Sequence, residues 1–127
     1  GIVTVGSHTH SHALLDRAEP ADVVGELDAS IDLIGAQLAV APTHFAYPKA
    51  LPGSAAAEAE VRRRFSSAAL ARSRVNVPGC DLHRLARTPI QRSDDPVLFA
   101  RKAAGGARLE GELRSLLSGR RTRGAAS

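Results

Sequence analysis

The sequence predicts an α/β fold in which helices pack on a parallel sheet. Three observations carry that prediction. Short β-branched or aromatic runs alternate with longer helical stretches, in the order strand, helix, strand, helix, strand, strand, helix, helix. The apolar residues are mostly alanine, valine and leucine, with no Trp or Met and a single tyrosine, Tyr47. Small side chains of this kind suit helix-on-sheet packing better than a β-sandwich, and no large aromatic plugs are expected in the core. A histidine-rich loop follows directly on the first strand, the end of the sheet where parallel α/β folds place their chemistry.

Ile2, Val3 and Val5 form a β-branched run that Gly6-Ser7 ends, which reads as the first strand. From Pro20 to Ala39 the apolar residues Val23, Val24, Leu27, Ile31, Ile34 and Leu38 recur at steps of three and four. This is an amphipathic helix, with Pro20 in its first turn and Glu19 and Asp22 suiting the dipole there. Leu27, Ile31 and Ile34 are expected to face the sheet, and Asp28 and Asp32 water. His44 to Tyr47 reads as a second strand, stopped by Pro48, and Leu51-Pro52-Gly53 turns the chain. Ser54 can cap a helix from Ala55 to about Phe65. Ser67 to Leu70 offers a third strand and Leu85 to Ile90 a weaker fourth, with an irregular stretch from Arg72 to Leu82 between them. Asp94-Asp95-Pro96 starts a helix, the aspartates reading as caps, and Gly105-Gly106 stops it. A last helix is expected from about Leu109 to Leu117, before a Gly/Arg/Ser tail.

A chain of 127 residues can bury a core of its own. Its formal charge is +4, and much of the excess lies between Arg114 and Arg123. A solvated basic tail explains that excess. No aromatics alternate with the arginines, so a stacking surface for nucleic acid is not expected. Cys80 is the only cysteine and can form no internal disulfide. No apolar run approaches the length of a membrane span. The chain starts Gly1-Ile2-Val3, at once in a strand, as expected of a cut sequence; localisation is left open, since any targeting segment would lie upstream.

His8, His10 and His12 are the most informative residues. Neutral imidazole is the commonest metal ligand. In an extended segment all three rings face one way. In a turn, His8 and His12 meet at i and i+4 while His10 points elsewhere. Gly6-Ser7, ending the strand, favours the turn. Two nitrogens are too few for a zinc site, so a further ligand must come from elsewhere.

Gly6-Ser7-His8-Thr9-His10-Ser11-His12 resembles the second motif of the polysaccharide deacetylases, His-Ser/Thr-x-x-His. The helix that follows, and then Phe45-Ala46-Tyr47-Pro48, resemble that family's next helix and its third motif. Leu85-Ala86-Arg87-Thr88-Pro89-Ile90 is similar to a later Leu-x-Arg-x-x-Val segment. The resemblance implies a partial, distorted (β/α) barrel of the polysaccharide deacetylase type, lacking its first strand, over residues 1–117, with a basic tail at 118–127. It implies a hydrolase that removes acetyl groups from an N-acetylated, less readily an O-acetylated, polysaccharide or oligosaccharide, with zinc or another divalent metal as cofactor. It makes His8 and His12 the metal ligands, has Thr9 brace the loop by hydrogen bonding, and leaves His10 a bystander. Tyr47, Pro48 and Lys49 would line the acetyl pocket, the Lys49 N–H holding the oxyanion. The family's aspartate pair, one a ligand and the other the base, has no counterpart after Gly1, so the isolated chain is expected to be inactive. His83 is a weak candidate for the late acid histidine, since it lacks the Leu-x-His pattern, and His44 reads as structural. A non-catalytic metal- or carbohydrate-binding module on the same fold is the alternative, and a basic helical binder of polyanions a distant third.

Overall fold

The computed structural model describes residues 2–105, so the helix expected at Leu109 to Leu117 and the tail at 118–127 lie outside the described residues. The chain divides into two compact units, Gly1–Ala71 with Val77–Leu85 and Arg72–Asn76 with Ala86–Ser127.

In the first unit α1 spans Pro20–Leu38, within a residue of the sequence reading. Proline at its start loses nothing, because the first-turn N–H has no partner inside the helix. Its end is closed by Ala39 in the left-handed region (φ 54°), whose N–H bonds the Gly35 carbonyl. The buried residues are Val23, Leu27 and Ser30. Ile31 and Ile34, expected at full depth, are half-buried, because the buried face is rotated toward Val23 and Ser30. Asp32 faces water as expected, whereas Asp28 pairs with Arg64 of the next helix. The Arg64 guanidinium, bonded to it, holds its carboxyl below the ordinary value.

β1 is His44–Ala46, α2 is Ala55–Arg64 and β2 is Ser67–Ala71. Ser54 caps α2, its hydroxyl accepting the Ala57 N–H at 3.2 Å. β1 and β2 run parallel, with Phe45 opposite Ala68. The first expected strand does not form over Ile2 to Val5. Only Ser7 pairs, as a parallel bridge to Phe45, while Ile2 and Val3 are exposed. Continuing that register would set Thr4 opposite Pro42, which has no N–H to give a ladder. Gly6 lets the chain come this close: a Cβ there would lie 3.0 Å from the His44 carbonyl oxygen.

The core gathers Leu15, Val23, Leu27, Val61 and Leu70 around three aromatics. Phe45 stacks on Phe65 at 5.1 Å and meets Tyr47 edge-on at 5.1 Å. The expectation of a core without aromatic plugs is therefore corrected. Aromatics are few, but three of the four sit at its centre. Composition counts residues without locating them.

A 3-10 turn at Leu82–Arg84 closes the first unit, and β3, Leu85–Arg87, leads out of it. In the second unit the Asn76 side chain bonds both the N–H and the carbonyl of Ala86, as a strand neighbour would. α3 is Pro96–Ala103. Of the two aspartates expected to cap it, only Asp95 does, accepting the Leu98 N–H at 2.7 Å. Asp94 instead forms a buried ion pair with Lys102 at 2.8 Å. No described helix is long and apolar enough to cross a membrane.

Candidate functional site

The histidine loop begins where the Ser7 bridge ends. The Ser7 N–H bonds the His44 carbonyl at 2.8 Å, and the Ser7 carbonyl accepts the Ala46 N–H at 2.9 Å. This brings the next residue, His8, to the C-terminal end of β1. There its Nδ1 lies 2.6 Å from the Ala46 carbonyl oxygen. A carbonyl can only accept, so Nδ1 carries the hydrogen, and in the neutral ring that leaves the lone pair on Nε2.

Thr9 and His12 both have φ 65°, in the left-handed region. For a β-branched threonine that is a strained conformation, of order 1–3 kcal/mol. These two residues coil the loop and bring the rings of His8 and His12 to 4.9 Å between centroids, at 65° to one another. Both side chains are open to solvent. His10 makes no such contact; its backbone N–H, with the N–H and hydroxyl of Ser11, bonds the Glu26 carboxylate on α1. Burial pushes that carboxyl up, but the Ser11 hydroxyl and the two N–H donors outweigh it and hold Glu26 below its ordinary value. Glu26 gives no signal in the sequence, where it reads as one more charge on an amphipathic helix. Thr9 does not brace the loop as expected: its hydroxyl is buried and meets no hydrogen-bond partner among the described residues. Ser7 does the bracing, its hydroxyl 2.8 Å from that of buried Ser30.

The second wall is the turn after β1. The Tyr47 N–H bonds the Ala69 carbonyl, and the Ala50 and Leu51 N–H groups close the turn on the carbonyls of Tyr47 and Pro48. The Lys49 N–H takes part in neither closing bond. Lys49 and Ala50 are also left-handed, with φ 49° and 60°. Tyr47 and Pro48 are buried, so their side chains line no open pocket; Lys49 is exposed. The Tyr47 hydroxyl has no partner among the described residues, and burial, with the Glu58 charge, pushes it up to about 12.

His83 is corrected to a structural role. Its Nε2 donates to the Phe65 carbonyl at 2.7 Å and its Nδ1 accepts from Arg62, leaving neither ring nitrogen for proton transfer. His44 pairs with the Ser67 hydroxyl across the two strands, a structural role as expected. The carboxylates after β2 are engaged as well: Asp81 by Arg62, Asp94 by Lys102 and Asp95 by α3. Among the described residues no three His, Cys, Asp or Glu side chains come together as a metal-binding group.

The sequence profile of the polysaccharide deacetylases matches residues 1–64, just over half of the chain, including the histidine loop and Phe45–Pro48. The chain belongs to the polysaccharide deacetylase family. No curated protein matches its sequence. Solved structures bear the same fold. The Streptococcus pyogenes deacetylase PplD, solved with acetate, is 20% identical with a TM-score of 0.68, over 76% of this chain and 43% of that one. A polysaccharide deacetylase from Bacillus cereus is 19% identical with a TM-score of 0.68, over 78% and 31%. IcaB from Ammonifex degensii is 22% identical with a TM-score of 0.66, over 83% and 47%. The chain thus spans less than half the length of each.

Proposed function

We propose that this deacetylase chain supplies part of the site that hydrolyses acetyl groups from an N-acetylated, less readily an O-acetylated, polysaccharide or oligosaccharide, with zinc or a similar divalent metal held by His8 and His12. One observation carries the reading: the Ala46 carbonyl fixes the His8 tautomer with Nε2 free, beside the ring of His12. The donor set fits the group. Two neutral imidazoles are the donors zinc takes most readily, and the rings of His8 and His12 stand side by side, 4.9 Å between centroids. A carbonyl partner on the second nitrogen is the usual support of a ligating histidine.

A metal held there would supply Lewis acidity toward an acetyl carbonyl and lower the pKa of a water. His8 and His12 hold it at the end of β1. The Lys49 N–H donates to the acetyl oxygen as negative charge develops there, and buried Tyr47 and Pro48 keep the turn that aims it rigid. The third ligand and the base come from outside the described residues. The test is acetate release from N-acetylated oligosaccharides by the full-length protein, with zinc, after chelation, and after readdition of zinc. Loss and recovery with the metal support the reading. Zinc uptake without turnover would favour a non-catalytic metal- or carbohydrate-binding module, for which the absence of a three-residue donor group among the described residues speaks.

A further inference from the structure

We propose that Glu26 is the positioning residue of the metal loop: its carboxylate fixes the segment between the two histidine ligands and so sets the aim of His12. Its two oxygens take three hydrogen bonds from that segment. Oε2 accepts the N–H groups of His10 at 2.9 Å and Ser11 at 2.8 Å, and Oε1 accepts the Ser11 hydroxyl at 2.6 Å. Successive backbone N–H groups that converge on one oxygen form a concavity for an anion, and here the anion is a side chain of the protein itself. The left-handed residues Thr9 and His12 flank the two donors and turn both N–H groups the same way.

The register of α1 gives the clamp a second point. Ser30 lies four residues after Glu26, hence on the same face one turn on, and its hydroxyl meets that of Ser7 at 2.8 Å. One helix face thus grips the loop at its root, Ser7, and at its far side, His10 and Ser11. The two ligands are then held by different means. His8 hangs from the Ala46 carbonyl and follows the Ser7 bridge. His12 makes no hydrogen bond among the described residues and depends on the residue before it, which Glu26 holds. Without Glu26, residues 10 to 12 lose three bonds that oppose a strained backbone, and His12 drifts from His8.

The proposal rests on the metal reading above, and the experiment separates the two. Zinc affinity is measured by calorimetry on the full-length protein and on Glu26→Ala, Glu26→Gln, Glu26→Asp and Ser30→Ala. Amide exchange is followed in the metal-free proteins. Glu26→Ala should weaken zinc about 10–100-fold, the usual effect of losing a group that orients a ligand. Glu26→Asp keeps the charge but falls one methylene short, and should show a comparable loss even if the alanine variant folds poorly. Glu26→Gln should bind zinc close to the parent, because its carbonyl oxygen still accepts both N–H groups. Ser30→Ala should weaken zinc less than Glu26→Ala, because the backbone bonds of Ser7 to β1 still hold the root of the loop. Without metal, Glu26→Ala should speed exchange at the His10 and Ser11 amides and leave the Ser7 amide protected. A parent that takes up no zinc overturns the metal reading and this proposal with it. A parent that binds zinc, with a Glu26→Ala variant that binds it as tightly, overturns this proposal alone. So does a zinc loss in Ser30→Ala that matches Glu26→Ala at equal destabilisation.

Discussion

The histidine loop and the turn after β1 stand at the same end of the sheet and are held in opposite ways. The loop, from Ser7 to His12, presents its histidines to solvent and is tied by polar groups: Ala46 carbonyl to His8, Glu26 to His10 and Ser11, Ser30 to Ser7. The turn, from Tyr47 to Ala50, is anchored by packing, with Tyr47 only 1% exposed between Phe45 and the rest of the core. Both carry two left-handed residues. Strain persists where surrounding structure over-determines it, and hydrogen bonds do this in one segment and burial in the other. Changes to the loop should therefore disturb metal binding and leave the fold. Changes beneath the turn should disturb the fold first.

The largest effect expected is on the loop. His8→Ala or His12→Ala should abolish tight zinc binding in the full-length protein, and His10→Ala should not, as judged by zinc content after exhaustive dialysis. The melting temperature of the metal-free variants should stay near the parent's. Equal zinc losses from all three would mean that the segment binds extended, and that the contact between His8 and His12 is not the one the metal uses.

On the core side, Leu27→Ala should cost about 2–5 kcal/mol in a denaturant titration, because Leu27 is fully buried on α1. It tests the comparison directly. The variant should bind zinc normally wherever it remains folded. A near-zero cost would show that α1 does not carry the core.

How much of this could be read from the sequence follows the range of the interactions. α1, the Ser54 cap, α2 and the Asp95-Pro96 start were legible, because caps, proline and a three-to-four periodicity act within a turn or two. The approach of His8 to His12 was legible as one of two geometries, and Gly6-Ser7 pointed to it. What depends on distant partners was not. The Ile2 to Val5 run has strand composition but meets Pro42 across the register. Glu26 reads as a surface charge until the loop folds over it, and Asp94 reads as a cap until Lys102 reaches it from eight residues away. Tyr47 was expected to line the acetyl pocket; its ring turns into the core instead, against Phe45.

The turn offers two sharper tests of smaller size. Tyr47→Phe removes a buried hydroxyl without a partner among the described residues. An unsatisfied group of this kind costs ~1–3 kcal/mol, so the variant should be as stable as the parent or about 1 kcal/mol more stable. Acetate release should not change, since the ring lies in the core. A fall in stability would show that the hydroxyl is bonded in solution. Lys49→Gly should also be tolerated or gain up to ~1 kcal/mol, because glycine adopts φ 49° freely. It keeps the backbone N–H, so turnover should persist. A large loss of turnover at unchanged stability would move the function of this residue from its N–H to its ammonium group.

The smallest effect expected is at acid pH, and it belongs to the helix side rather than the loop. The Arg62 guanidinium, helped by the His83 N–H, holds the Asp81 carboxyl down at about 2, against an ordinary value of 3.8. A carboxyl depressed on folding adds stability that is complete above its unfolded value. That stability is lost as the pH falls from near 4 through about 2, where the folded group also takes its proton. Arg62→Gln should remove the depression and flatten the decline of melting temperature across that window, the variant starting slightly below the parent at neutral pH and meeting it near pH 2. The pair is at the surface, so the difference should shrink in high salt. Parallel melting curves for parent and variant between pH 4 and 2 at low salt would show that the pair is open in solution. In that case the His83 ring is held by the Phe65 carbonyl alone, its backbone N–H keeping the Asp81 carboxylate, and the link from α2 to the Leu82–Arg84 turn is carried by Glu58 and Arg84, which bond at 2.6 Å.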